Sequence, residues 1–223
     1  MKQLVIFDLD GTLLNTISDL GEAANYALSQ AGYPTHSLSS YPFFVGNGVR
    51  KLLERVLPED ARNDETIDHL HAIFTEYYNS HMTDHTTPYP GIPELLTLLR
   101  EKGIKVAVAS NKYDSAVKSL IAHFFPEIEW AAVEGQKPDV PVKPDPSIVF
   151  EILSKVPTPK ADVLYVGDSG VDMETARRAC VTSCGVTWGF RPESELKKYY
   201  AENIVSTPDG ILELACGGSM ELS

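Results

Sequence analysis

Two aspartates near the start of the chain stand two positions apart, directly after a short apolar run. Leu4–Phe7 contains no polar residue, which is typical of a strand buried on both faces of a parallel sheet. Asp8 and Asp10 follow this run, and Gly11 and Thr12 come next. Ligands of open α/β sheets bind at the carboxyl ends of the strands, so the arrangement indicates a reaction or ligand site. The alternative interpretation is an ordinary Asp/Gly turn after a strand.

Carboxylates at this spacing suit the transfer of a phosphoryl group. Asp8 can attack phosphorus and become an aspartyl phosphate, which splits one difficult step into two easier ones. Asp10 can protonate the leaving oxygen and then deprotonate the attacking water. A hard divalent cation beside both carboxylates would keep them ionised and neutralise phosphate charge. Gly11 lets the backbone approach the phosphate closely, and N–H groups of the loop can point at its oxygens.

Ser110 and Asn111 hold the same position behind a second apolar run, Ile104–Ala109, which predicts another buried strand. Their hydroxyl and amide groups can hydrogen-bond a phosphoryl oxygen directly. A serine after a strand is also a common helix N-cap, so this residue alone leaves both interpretations open.

A lysine and two further aspartates complete the candidates. Lys143 precedes Pro144 and Pro146, whose fixed φ near a predicted helix start holds the lysine in place. A positive charge there can balance the charges of nucleophile and phosphate together. Asp168 and Asp172 follow a further predicted strand and open a helix, although Asp–Ser–Gly is also common turn chemistry.

Four segments together resemble the motifs of the haloacid dehalogenase (HAD) superfamily of phosphotransferases. They are DLDGT at residues 8–12, ASN at 109–111, KPDP at 143–146 and GDSGVD at 167–172, in the family's order. The implied fold is α/β, with a Rossmann-like parallel sheet core and a helical cap domain inserted after the first strand. Within the superfamily the sequence most resembles the phosphoglycolate phosphatases, through VGNGVRKLLERVL, GDSGVDMETA and VTWGFRPESEL.

The resemblance implies a role for each motif residue. Mg²⁺ would be held by Asp8, by the backbone carbonyl of Asp10 and by Asp168. Asp8 would attack the phosphoryl group, and Asp10 would act first as acid and then as base. Ser110 and Lys143 are the further catalytic residues, because both would hold phosphoryl oxygens.

Other residues are candidates for binding the substrate. The resemblance implies that Asn111 helps to hold the phosphoryl oxygens, that Gly11 and Thr12 shape the loop, and that Asp172 orients a metal ligand or the motif lysine. Arg50 is a candidate from the residues alone, because it follows two glycines at a predicted helix start, where free N–H groups favour anions. It could bind a substrate carboxylate or phosphate with two hydrogen bonds, and the alternative is a solvated arginine.

The segment between the first strand and the later strands has helical periodicity and no strand pattern. Helices are predicted over Asp19–Gln30, Gly48–Leu57 and Asp64–Met82. We therefore expect a core domain of residues 1–15 and 85–223 and a helical cap domain of residues 16–84. The alternative is that these helices only cover one face of the sheet.

The hypothesis is a Mg²⁺-dependent phosphatase that hydrolyses a small phosphorylated metabolite, 2-phosphoglycolate or a similar monoester, through an aspartyl phosphate. A phosphomutase or a pyrophosphatase of the same layout is the alternative among enzymes. A haloacid dehalogenase would need neither an acid at Asp10 nor a metal. A catalytically silent HAD-fold binding protein is the alternative outside enzymes.

Composition excludes several partners. The formal net charge of −12 argues against nucleic acid and against an anionic membrane surface. No apolar run is long enough to span a membrane, and the N-terminus lacks the pattern of a signal peptide. The three cysteines, Cys180, Cys184 and Cys216, lack the spacing of a disulfide framework, so we expect reduced thiols in a cytoplasmic protein. The protein is expected to be a monomer or homodimer. Residues 217–223 are expected to be frayed.

Overall fold

A six-stranded parallel sheet forms the centre of the molecule, with strand order β5-β4-β1-β6-β7-β8. The computed structural model describes residues 1–218. The strands of this sheet are β1 (Leu4–Phe7), β4 (Lys105–Tyr113), β5 (Ala132–Gln136), β6 (Val163–Gly167), β7 (Thr182–Val186) and β8 (Asn203–Val205). All its pairings are parallel, so the carboxyl ends of the strands lie at one edge.

The central position of β1 explains its uninterrupted apolar sequence. It pairs with β4 on one side and with β6 on the other, and Leu4 lies opposite both Lys105 and Val163. Val5 and Phe7 face one apolar core, whereas Leu4 and Ile6 face a second core on the other side of the sheet. Both faces of the strand are therefore buried, as the sequence predicts.

Helices cover both faces of the sheet. On one side lie α5 (Ile92–Glu101), α6 (Asp114–Phe124) and α10 (Pro208–Cys216). On the other side lie α7 (Ser147–Lys155) and α8 (Gly170–Ala179). A short helix, α9 (Glu193–Lys198), packs beside α8 and β7.

The remaining helices form a helical insert, which is the name used below for residues 17–81. They are α1 (Ile17–Gln30), α2 (Tyr41–Phe44), α3 (Val49–Val56) and α4 (Asp64–His81). The insert has an apolar core of its own, in which Leu28, Leu53 and Phe74 are fully buried. The predicted division into a core and a cap domain stays a prediction, and its borders coincide with the connection described next.

Two short strands connect the insert to the six-stranded sheet and its covering helices, which together are called the sheet domain below. β2 (Leu14–Asn15) and β3 (Thr87–Pro88) pair antiparallel, although the sequence predicts no strand in this region. The buried Asp19 braces the connection, because its carboxylate accepts hydrogen bonds from the backbone N–H groups of His85 and Thr86 and from the Thr86 hydroxyl. Strands of two residues carry no detectable periodicity, which is why sequence patterns miss them.

Two strand boundaries differ from the sequence prediction. β4 continues past the predicted end at Ala109 to Tyr113, with a register shift in its pairing to β5 between these residues. The mostly apolar residues 128–133 predict a strand there as well, but β5 begins only at Ala132, opposite Ala107. Ile128 and Trp130 pack against the core from outside the sheet, which accounts for their apolar character.

Of residues 217–223, which the sequence predicts to be frayed, the first two are held by hydrogen bonds. Gly217 has φ +86°, and the N–H groups of Gly217 and Gly218 bond to the carbonyls of Leu214 and Glu213 to close α10. Residues 219–223 lie outside the described residues. Within residues 1–218 there is no helix with the length and apolar character needed to cross a bilayer.

Candidate active site

The predicted chemical groups meet at the carboxyl edge of the sheet. Asp8 follows β1, Ser110 lies within β4, and Asp168 follows β6, so three neighbouring strands deliver them to one place. All three residues line one cavity, whose free volume is about 40 Å³. Residues of the insert, including Val45 and Val49, line the same cavity. The site therefore lies where the insert meets the sheet domain.

Lys143 is buried at the base of this site and uses all three of its N–H groups. Its Nζ lies 2.9 Å from Asp8 Oδ1 and 2.7 Å from Asp172 Oδ1, and it donates to the carbonyl of Ala109 at 3.0 Å. Burial alone would lower the pKa of Lys143, but the charges of Asp172 and Asp8 outweigh burial and raise the pKa well above its usual value. The lysine is therefore a fixed positive charge beside the proposed nucleophile.

Asp172 holds this lysine in place. Its Oδ1 accepts from Lys143, and its Oδ2 accepts from the Ser169 hydroxyl at 2.6 Å and from the Ser169 N–H at 3.2 Å. Ser169 in turn caps α8, so the Ser169–Asp172 pair is a capping box. With both oxygens engaged, the structure places Asp172 as the partner of Lys143, the second of the two roles proposed for it.

Three buried carboxylates cluster beside that ammonium group. One oxygen each of Asp8, Asp168 and Asp172 lie within 4.8 Å of one another. Burial, followed by the charge of Asp172, raises the pKa of Asp8 to about 7, with Lys143 opposing the rise. The same two causes, joined by the charge of Asp8, raise the pKa of Asp168 well above its usual value. Carboxylates this close repel one another, and a divalent cation between them would remove the repulsion.

The backbone around Asp168 is shaped to leave room for this cluster. A Cβ atom on Gly11 would lie 2.3 Å from Asp168 Oδ2, and one on Gly189 would lie 2.4 Å from the same atom. Gly11 has φ +86°, which also favours glycine. The N–H of Phe190 donates to Asp168 Oδ2 at 2.6 Å and fixes its direction. A hard oxygen-ligated cation such as Mg²⁺ fits this donor set.

Asp10 points in a different direction from the three clustered carboxylates. Its Oδ1 accepts from the Thr16 hydroxyl at 2.6 Å and lies 3.1 Å from Lys112 Nζ. Lys112 also donates to the hydroxyl of Tyr78 at 3.0 Å, and Tyr78 belongs to α4 of the insert. Burial alone would lower the pKa of Lys112, but Asp10 and Tyr78 raise it overall. The metal contact proposed for the Asp10 backbone carbonyl stays a prediction.

The other predicted polar residues are also brought to this edge. The Ser110 hydroxyl is buried and accepts from the N–H of Lys112 at 3.2 Å. Asn111 accepts from the N–H of Lys143 at 2.8 Å and donates to the carbonyl of Gly46 at 3.2 Å, so it joins a sheet loop to the insert. The Thr12 hydroxyl is buried and has no hydrogen-bond partner within the described part of the chain, and the Thr12 carbonyl accepts from Trp188 Nε1.

Arg50 is a predicted site residue whose side chain the structure places away from the other polar groups of the site. Half of its side chain is exposed, and its guanidinium pairs with Asp64 and Asp68 at the start of α4. It does not line the cavity, whereas Arg191 does. The helix face that carries Arg50 turns towards α4 and solvent, so its contact with a substrate stays a prediction that this arrangement does not favour.

Sequence reasoning missed three residues that the structure brings to the site: Lys112, Tyr78 and Arg191. Lys112 directly follows the predicted Ser110–Asn111 pair, so its adjacency to the motif was a usable signal. Arg191 lies in the loop after β7, another strand end, which was a weaker signal. Tyr78 lies on an amphipathic helix and carries no signal, because its periodicity only predicts burial.

Comparisons with known proteins agree with this geometry. The sequence profile described as haloacid dehalogenase-like hydrolase matches residues 5–186. The phosphoglycolate phosphatase of Aquifex aeolicus is 30% identical over 217 residues, covering 95% of this chain and 96% of that protein. The phosphoglycolate phosphatase of Agrobacterium fabrum is 33% identical over 192 residues, covering 85% and 82%.

A solved structure is also similar along nearly its whole length. A crystal structure from Lactobacillus delbrueckii subsp. bulgaricus superimposes with a TM-score of 0.91 at 33% identity, covering 97% of this chain and 100% of that chain. The profile match covers most of the chain, the Aquifex relative matches along nearly its whole length, and the solved structure shares the fold. The chain belongs to the haloacid dehalogenase-like hydrolase family and is a hydrolase of phosphoric monoesters.

Proposed function

We propose that the protein is a Mg²⁺-dependent phosphatase that hydrolyses a small phosphate monoester, 2-phosphoglycolate or a close analogue, through an aspartyl phosphate on Asp8. The observation that carries the proposal is the placement of the Asp8 carboxylate in a small cavity, against Lys143 and beside Asp168. The names of the curated relatives support the choice of substrate.

The first step is attack on phosphorus by Asp8. Lys143, held by Asp172 and the Ala109 carbonyl, keeps a positive charge next to the nucleophile and next to the phosphoryl oxygens. The Ser110 hydroxyl at the end of the apolar part of β4 can donate to one of those oxygens. Mg²⁺, held by Asp8, Asp168 and the Asp10 carbonyl, would supply further charge neutralisation to the phosphoryl group.

Asp10 moves the protons in both steps. It protonates the leaving oxygen as the bond to phosphorus breaks, and it then takes a proton from the water that attacks the aspartyl phosphate. The hydrogen bond from Thr16 and the ion pair with Lys112 hold its carboxylate on the insert side of the site. The leaving group is therefore expected on that side, against the insert.

The small volume of the cavity favours a small leaving group. Its free volume of about 40 Å³ is bounded on the insert side by apolar residues, among them Leu20, Val49 and Leu52. A bulky ester would displace these side chains. Exclusion of water by the insert would protect the aspartyl phosphate until Asp10 activates a single water molecule.

We also propose that the enzyme acts in the cytoplasm as a monomer or homodimer. The support for the compartment is that Cys180, Cys184 and Cys216 are all free thiols.

The test is phosphate release from a panel of phosphorylated metabolites in the presence of Mg²⁺. We expect the highest kcat/KM for monoesters with leaving groups of a few atoms. Asp8→Asn should lose turnover by about three orders of magnitude or more, because it removes the nucleophile, and should keep its circular dichroism spectrum. Asp60→Asn, at an exposed position of the insert, is the matched control and should keep wild-type rates. Turnover by Asp8→Asn at the wild-type rate would refute the proposal.

A further inference from the structure

Three cationic side chains among residues 1–218 line the cavity, and two of them are already paired with its carboxylates. Lys143 is bound by Asp8 and Asp172, and Lys112 is bound by Asp10. Arg191 is the third. Its nearest carboxylate partner is Glu195, at 3.8 Å between Arg191 Nε and Glu195 Oε1, and that same oxygen accepts from the N–H of Gly170 at 2.9 Å. The charge of Arg191 is therefore not used by a carboxylate of the cavity.

Two hydrogen bonds fix where the Arg191 guanidinium lies, one from the preceding backbone N–H and one from the guanidinium itself. The preceding residue, Phe190, donates its N–H to Asp168, which ties the loop to the proposed metal site. At the other end, Arg191 Nη2 donates to the carbonyl of Val45 in the insert at 2.9 Å. The side chain is only 15% exposed, so its position is set by packing as well. Arg191 thus lies at the junction of insert and sheet domain, where the leaving group is expected.

The hydrogen-bonding capacity of this arginine exceeds what residues 1–218 use. A guanidinium has five N–H donors, and the Val45 carbonyl takes one of them. A planar fork with free donors matches a carboxylate in two parallel hydrogen bonds. A neutral leaving group would leave these donors unpaired in the cavity, with Glu195 at 3.8 Å as the anionic neighbour, which disfavours such a substrate.

We propose that Arg191 binds a carboxylate on the leaving group, so that the preferred substrates are phosphate monoesters of small hydroxy acids. This inference rests on the proposed function, because it assigns a specificity contact within the same site. It takes the role that the sequence assigned to Arg50 and gives it to a residue of the loop after β7. The contact is made equally in ground and transition states, so its loss should raise KM more than it lowers kcat.

The chain offers a matched control for the loop contact. Arg55 is also partly buried and also holds the insert loop, through the Phe44 carbonyl at 2.8 Å and Asn47 Oδ1 at 2.7 Å. It does not line the active-site cavity. Substitution of Arg55 therefore disturbs the loop without removing a donor from the cavity, whereas substitution of Arg191 does both.

The experiment compares 2-phosphoglycolate with ethyl phosphate, whose two-carbon leaving group lacks the carboxylate. We would measure kcat and KM for the wild type, Arg191→Met, Arg191→Lys and Arg55→Met. Arg191→Met should lose about 10- to 100-fold more kcat/KM on 2-phosphoglycolate than on ethyl phosphate, the range of a lost charge-assisted hydrogen bond. Arg191→Lys should recover part of this selectivity, and Arg55→Met should affect both substrates alike.

The outcomes separate this inference from the proposed function. Equal losses on both substrates in Arg191→Met would show that Arg191 only holds the insert loop, and no loss on either would show that it has no role, so each result overturns the inference. Wild-type enzyme that hydrolyses both substrates with equal kcat/KM overturns it as well, while phosphatase activity stands. Wild-type enzyme that releases phosphate from no monoester overturns the proposed function itself.

Discussion

Replacing Lys112 by methionine removes a buried charge from the site and keeps most of the apolar stem. Lys112 is buried, and its Nζ contacts Asp10 at 3.1 Å and the Tyr78 hydroxyl at 3.0 Å. It also lies 4.7 Å from the centre of the Tyr78 ring. In Lys112→Met, the carboxylate of Asp10 keeps only the Thr16 hydroxyl as a side-chain partner among the described residues.

The expected cost follows from the burial of both partners. The side chains of Lys112 and Asp10 are 2% and 14% exposed, so the loss of one partner leaves a poorly solvated charge. Breaking a buried ion pair typically costs 3–5 kcal/mol, and the partial exposure of Asp10 places this one near the lower end, at about 3 kcal/mol. Because Asp10 is the proposed acid and base, kcat should also fall by about 10- to 100-fold.

Urea unfolding of the wild type and variants, followed by circular dichroism near neutral pH, measures the stability change. Lys118→Met is the matched control. Lys118 Nζ lies 2.6 Å from Asp114 Oδ2, but 56% of the Lys118 side chain is exposed. The free energy of unfolding of this variant should therefore fall by less than about 0.5 kcal/mol. The double variant Lys112→Met/Asp10→Asn should lose less stability than the two single losses added together. Strict additivity, or a loss under about 1 kcal/mol in Lys112→Met, would refute the reasoning.

Three further predictions test the site. Gly11→Ala should lose most of its kcat/KM and bind Mg²⁺ more weakly, because the new Cβ would lie 2.3 Å from Asp168 Oδ2. The control is Gly103→Ala, where the backbone φ is similar and no atom lies within 4 Å of the new Cβ, so this variant should only lose about 1 kcal/mol of stability. Equal kinetics in both variants would contradict the clash. Arg50→Met should keep kcat/KM within about twofold and lose at most about 1 kcal/mol of stability, because the ion pairs of Arg50 are exposed. A rise in KM without a loss of stability would show that Arg50 contacts the substrate after all. Chelation of the metal should abolish phosphate release and lower the melting temperature, and added Mg²⁺ should restore both. If Asp168→Asn shows the same Mg²⁺-dependent rise in melting temperature as the wild type, Asp168 is not a metal ligand.

Much of the site was predictable because its residues lie close to strand ends. Asp8, Ser110 and Asp168 each follow an apolar run, and parallel strands bring their carboxyl ends to one edge of a sheet. The spacing Asp8–Asp10 was therefore enough to identify two carboxylates, although not that they point in different directions. Lys143 was identified from the prolines that follow it.

The sequence failed where a side chain's direction depends on packing between distant segments. Arg50 and Arg191 are both arginines beside glycine-containing loops, and nothing in their neighbours distinguishes the one that turns to solvent from the one that turns to the cavity. The contact between Lys112 and Tyr78 spans 34 positions, and that between Arg191 and Val45 spans 146. Such contacts follow from how the insert packs on the sheet domain.

The amino-acid sequence by itself determined the parallel sheet, the helical character of residues 17–81 and the acids, serine and lysine at the strand ends, because each depends on local periodicity and on short spacings along the chain. The tertiary structure decided which arginine reaches the cavity and which residues hold Asp10. These depend on the approach of two separately packed apolar cores, and the free energy of that approach is not encoded in any single segment.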